Sequence, residues 1–222
     1  MERYIHSEKI DVEKVVDEVF NFSRLGGVSI SNVLTLGARE ELLAAMRESQ
    51  NLFKDVERET KSGVIQEMKT LYLEGVVEEE LPATLTQCLR TLTAEYNEVY
   101  QRIAEAAHFT VRTFNSVGMH WYPVGFAGIT PHQDYAADSN LITSFVIAGN
   151  APFFICRDRQ KTDAIQLDAE PGAIIFMRAT RYHHEQPYRP FHYLLGPMEV
   201  ERYSILVRNR TEAKMDQLKT EL

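Results

Sequence analysis

The feature that most constrains this chain is a change of texture near Phe109. Before it, apolar residues recur at helical spacing. In DVEKVVDEVFNF, Val12, Val15, Val16, Val19 and Phe20 form one stripe, and REELLAAMRES is a second helical segment. The strongest pattern is LPATLTQCLRTLTAEYNEVYQRIAEAAHF. It puts Leu85, Cys88, Leu89, Leu92, Tyr96, Val99 and Ile103 on one face, and Pro82 suits its first turn. After Phe109 the apolar runs are short and rich in β-branched and aromatic residues: TVRTFNSVGMHWY, LITSFVIA, PFFICR, AIIFM, FHYLL and RYSILVR, separated by Gly, Pro and Asp. Runs of this length predict an antiparallel barrel or double-sheet jelly roll. Helices first and strands later make an α+β fold, with helices from residues 1–110 packed outside a β core in residues 111–210. Residues 52–80, between the second and third helices, are charged and weakly patterned, which leaves a strand pair and a lid both open.

The chain has 222 residues, a length that barrels and sandwiches often fill as one domain, so residues 1–222 are expected to form a single unit. No run approaches the roughly 18 to 20 apolar residues of a membrane span. The start, MERYIHSEKIDVEKVV, has no apolar core of a signal peptide. Cys88 and Cys156 are the only cysteines, which fits a reducing compartment; the cytoplasm is the expected location. The net charge of −8 disfavours nucleic acid as a partner, since phosphate binding needs a basic footprint, and favours a small-molecule substrate.

The candidate site begins with His132 and Asp134, two residues apart in a turn-rich stretch that leads into an apolar run. On a strand they share one face. A third corner is available in PGAIIFMRATRYHHEQP, whose strand ends in His183 and His184. Two His and one carboxylate with open positions left over make the facial triad of non-haem Fe(II) oxygenases. The last strand adds to this. In RYSILVRNR, Tyr203, Ile205 and Val207 form an apolar face, while Arg202, Ser204, Leu206 and Arg208 point the other way, to solvent or into a barrel. A barrel holding a dicarboxylate would need such groups, because the guanidinium fork matches a carboxylate.

Tyr122-x-x-Gly125, His132-Gln133-Asp134, Tyr182-His183-x-x-Gln186-Pro187 and Arg202-Tyr203-x-x-x-x-Arg208 occur in that order. With this set, residues 113–210 resemble the 2-oxoglutarate- and Fe(II)-dependent oxygenase superfamily, most closely its AlkB-like branch. The resemblance implies a double-stranded β-helix in which His132, Asp134 and His183 bind Fe(II). His183 is preferred to His184 because the distal ligand of related proteins commonly stands four residues before a Pro, here Pro187. It further implies that Arg202 holds the distal carboxylate of 2-oxoglutarate with Ser204 and Tyr122, and that Arg208 sits near the keto-acid end. His120 faces inward too, where that branch typically has Asn, and one extra residue separates Tyr122 from His132. The implied activity is hydroxylation of a C–H bond with O2, releasing succinate and CO2. Asp134 argues against halogenation, since halogenating relatives lose that carboxylate. Three readings follow: hydroxylase of an amino acid or biosynthetic intermediate, demethylase of alkylated nucleic acid, or non-catalytic binding module. Arg178, Arg181, Arg189 and His192 are expected at the surface, the last two beside a rim loop in FHYLLGPMEVE.

Overall fold

A computed structural model describes residues 3–56, 58–73, 81–111, 114–135, 138–180, 189–197 and 199–210. The three expected helices are present: α1 (Val12–Phe20), α2 (Leu36–Glu48) and α3 (Ala83–Ala106). Side chains cap the first two. Asp11 accepts from the Lys14 N–H at 3.0 Å, and Thr35 Oγ1 accepts from the Ala38 N–H at 3.2 Å. Pro82 stands at the N-cap of α3, one position before the first turn that its ring would also suit.

The strands are β1 (Gly27–Ile30), β2 (Lys54–Asp55), β3 (Gln66–Glu67), β4 (Lys69–Tyr72), β5 (Ser116–Tyr122), β6 (Gly128–His132), β7 (Leu141–Ala148), β8 (Phe153–Cys156), β9 (Ile165–Leu167), β10 (Ile174–Arg178), β11 (Phe191–Leu195) and β12 (Arg202–Arg208). They form two antiparallel sheets. The larger has the order β1-β10-β7-β12-β5-β4-β2 and the smaller β3-β6-β11-β8-β9. From β5 onward the chain passes between them: β5, β7, β10 and β12 enter the larger sheet and β6, β8, β9 and β11 the smaller.

Period-two alternation sorts the larger sheet's side chains. Phe145, Ile147, Ile174, Phe176, Tyr203, Ile205 and Val207 pack with Val15, Leu42, Tyr96 and Tyr100 of the helices. Ile142, Val146, Ile175, Met177 and Leu206 face the other way and meet Ile129, Phe153, Ile155 and Leu194 of the smaller sheet. The helices therefore cover the larger sheet's outer face, and the space between the sheets holds the site.

The N-terminal part is less purely helical than its sequence suggests. β1 forms one edge of the larger sheet, β4 and β2 extend the other, and β3 joins the smaller sheet beside β6. The ambiguous 52–80 region thus contributes strands within its described residues. Among the described residues, no helix is long and apolar enough to cross a membrane.

Candidate metal centre

A cavity of about 490 Å³ opens between the sheets. His132, at the end of β6, lies in register with His192 of β11, so both imidazoles leave one face of one strand pair. Their ring centroids are 4.2 Å apart. Asp134 follows just past the end of β6 and places Oδ2 3.5 Å from His192 Nε2. One ligand atom from each of His132, Asp134 and His192 lies within 4.8 Å of the others. His192 is 6% exposed, so the expected surface position is corrected: it belongs to the strand face turned inward. Phe153 stacks on its ring at 5.7 Å and holds it there. His183, His184 and Arg181 lie outside the described residues.

The donor set fits a divalent cation. The His132 Nδ1–H donates to the Thr130 carbonyl at 3.0 Å, which fixes the tautomer and leaves Nε2 with a lone pair for a metal. Asp134 Oδ2 is buried without a hydrogen-bond partner among the described residues, an arrangement rare for a carboxylate oxygen unless something else binds it. Burial would raise the Asp134 carboxyl, but His192, Arg208 and His132 outweigh it and hold it at about 2. With the imidazoles neutral at pH 7, the standing partner is Arg208, whose Nη1 is 3.8 Å from Asp134 Oδ1.

The other expected site residues meet in the same cavity. His120, Tyr122, Arg202, Ser204 and Arg208 all line it. The β5–β12 register explains this, pairing Tyr122 with Arg202 and His120 with Ser204. The two guanidiniums differ in their surroundings. Arg208 has Asp134 on one side and Asp138 on the other, the latter at 3.7 Å. Arg202 is 1% exposed and donates to the Ala151 carbonyl at 3.2 Å, but its Nε has no partner among the described residues. No carboxylate among the described residues forms an ion pair with it, and burial pushes its guanidinium down to about 10.

Three contributors escaped the sequence reading. Tyr72 of β4 brings its hydroxyl to 3.2 Å from His120 Nε2. Its ring lies where a Cβ on Gly118 would fall, 2.6 Å from the nearest ring atom, so glycine there makes room for it. Asp138, fully buried, accepts from Arg210 Nε at 2.9 Å and braces Arg208. Arg189 is partly buried and donates to the Asp134 carbonyl oxygen, which corrects its expected surface role. Arg178 is likewise buried, at 1% exposure, at the end of β10.

No protein-family model and no curated protein sequence matches the chain. Solved structures do. A Pseudomonas putida prolyl-4-hydroxylase superposes with a TM-score of 0.65 at 14% identity, over 90% of this chain and 99% of that one. A Trichoplax adhaerens prolyl hydroxylase, solved with a peptide fragment of the hypoxia inducible factor oxygen degradation domain, gives 0.65 at 16% identity over 93% of each chain. The non-heme alpha ketoglutarate dependent epimerase of nogalamycin biosynthesis gives 0.61 at 14% identity, over 89% of this chain and 83% of that one. The chain has the fold of the 2-oxoglutarate- and Fe(II)-dependent oxygenases. These likenesses carry the oxygenase fold and do not select the AlkB-like branch within it.

Within this oxygenase fold the buried imidazoles set a pH limit. Burial, with His192 nearby, lowers His132 from 6.5 to about 3, and burial with Arg208 nearby lowers His120 to about 3. The native state refuses protons that the unfolded chain accepts. The contribution of these two imidazoles to stability is therefore complete above pH 6.5 and is lost as pH drops from there toward 3. Asp134 adds to the loss between its ordinary 3.8 and about 2. Urea unfolding of metal-free protein should show its midpoint declining steadily from pH 7 to pH 4. A flat profile would show that these imidazoles are protonated in the native state.

Proposed function

We propose that the protein is an Fe(II)- and 2-oxoglutarate-dependent dioxygenase that hydroxylates a C–H bond of a small molecule, an amino acid or biosynthetic intermediate. The observation that carries this reading is Arg202. It is a buried guanidinium with no carboxylate partner among the described residues, facing the cavity that His132, Asp134 and His192 enter. A charge so placed is costly unless an anion joins it. We read the two sheets as a double-stranded β-helix, and residues 1–222 as one catalytic unit.

His132, Asp134 and His192 would hold the iron, with His183 as the competing third ligand. Arg202 would receive the distal carboxylate of 2-oxoglutarate, flanked by Tyr122 and Ser204. Bound together, iron and 2-oxoglutarate would supply, with O2 as the oxidant, oxidative decarboxylation to succinate and CO2, one oxygen atom entering succinate and the other the substrate C–H bond. Arg208 orients the Asp134 carboxylate from the Oδ1 side, leaving Oδ2 toward His192. Tyr72 and His120 form a polar pair on the cavity wall that would face the co-substrate or the substrate. Ile129, Phe153, Met177 and Leu206 give the cavity an apolar wall against which the C–H-bearing part of a substrate would pack.

The test is 2-oxoglutarate consumption against a metabolite panel, read as succinate. One or more small molecules should stimulate turnover above the substrate-free rate. Salt-dependent retention on single-stranded DNA, with stimulation by alkylated oligonucleotides alone, would shift the substrate to nucleic acid. Absence of both 2-oxoglutarate binding and turnover would overturn the enzyme reading in favour of a binding module.

A further inference from the structure

We infer that Arg189 and Gln133 form a clamp that positions the Asp134 carboxylate for the metal, a role that rests on the metal reading above. The β6–β11 ladder ends at the His132–His192 pair. Continuing that register by two residues would set Asp134 opposite Pro190, which has no N–H to give. The backbone that carries Asp134 therefore leaves the sheet just where its orientation matters. Side chains take over from the ladder there. Arg189 Nη1 donates to the Asp134 carbonyl oxygen. Gln133 Nε2 donates to the Arg189 carbonyl at 2.8 Å, and Arg189 Nη2 lies 3.5 Å from Gln133 Oε1.

The bonds are reciprocal. A side chain from the segment after β6 holds the backbone before β11, and a side chain from that backbone holds the segment after β6. This ties the segment bearing His132 and Asp134 to the strand bearing His192, so the separation of the three donors is fixed from outside the donor set. Arg189 is not part of the cavity lining; Gln133 is, but neither belongs to the group of donors that could hold the ion. Neither is needed to touch the metal. Partners hydrogen-bonded to ligating side chains are worth roughly 10- to 100-fold in metal affinity, and a hold on the ligand's backbone is placed at the lower end of that range.

The clamp and simple electrostatics predict opposite signs. Arg189 is a cation beside a cation site, so its removal should by charge alone tighten metal binding. Its removal as a positioning group should weaken it. Mn(II) titrations followed by electron paramagnetic resonance, on the full chain, separate the two. Arg189→Ala and the charge-neutral Gln133→Ala should each bind Mn(II) about 10-fold more weakly than wild type or worse, with Arg189→Lys in between. The unfolding midpoint of the metal-free proteins should stay close to that of wild type. If Arg189→Ala binds Mn(II) as well as or better than wild type while His192→Ala does not bind it, the clamp is wrong and the metal site stands. The clamp is equally wrong if the variants lose only thermal stability. If wild type itself fails to bind Mn(II) and Fe(II), the functional reading falls and the clamp falls with it.

Discussion

Replacing His192 by Ala is expected to remove Fe(II) binding, weakening it on the order of 100-fold or more, since loss of a ligand costs at least as much as loss of a group that orients one. Anaerobic protein with Fe(II) and 2-oxoglutarate should develop the weak visible charge-transfer band of the chelate. His132→Ala, Asp134→Ala and His192→Ala should each lack that band and all succinate production. His183→Ala should keep both. The reason is geometric: His192 Nε2 already stands 3.5 Å from the Asp134 carboxylate, on a ring fixed by Phe153 and in register with His132. A band that survives in His192→Ala and vanishes in His183→Ala would return the third position to His183.

Arg202→Lys should weaken 2-oxoglutarate binding by about 10-fold or more, about 1.4 kcal/mol, and leave metal affinity nearly unchanged. Lysine keeps the charge but loses the planar fork that engages a carboxylate through two bonds. Arg202 is suited to that task because its neighbours do not neutralise it. Arg208, six residues along the same strand face, is already committed to Asp134 and Asp138. Isothermal titration with 2-oxoglutarate on the Mn(II)-loaded protein gives the co-substrate affinity, and Mn(II) titration alone gives the other. Normal 2-oxoglutarate affinity in Arg202→Lys would move the anchor elsewhere, with Arg208 and Arg210 next to be replaced.

What could be read from the sequence follows from how local the governing physics is. The stripes of α1, α2 and α3 and the two faces of β12 are set by spacing within one element, and they were legible. The convergence of His132 and Asp134 was legible too, although β6 ends at His132 and Asp134 reaches the cavity from beyond the strand rather than from its face. β1 was not legible, because four residues carry too little pattern, and β2 to β4 lay in a region where short, charged segments left a strand pair and a lid both open. His192 was obscured for a different reason. It stands beside Arg189-Pro190 and before Gly196-Pro197, so the segment reads as a rim, although Phe191-His192-Tyr193-Leu194 alternates as a strand should. Its pairing with His132 is a matter of tertiary register, which one sequence does not display. Asp138 was missed likewise, since its partners Arg208 and Arg210 lie far along the chain.

The placement of β12 has a consequence for how errors in the chain are caught. This strand is paired with β5 along its whole length and with β7 along most of it. Tyr203, Ile205 and Val207 fill the helix-covered core, while Arg202, Ser204, Leu206 and Arg208 line the cavity. A slip of one residue would drive two guanidiniums into an apolar layer and turn Tyr203, Ile205 and Val207 toward the candidate metal ligands. Stranding a charge in that layer costs several kcal/mol, comparable to much of a domain's net stability. A misaligned molecule would therefore fail to fold before it could fail as a catalyst. Quality control of the fold thus doubles as quality control of the proposed co-substrate anchor.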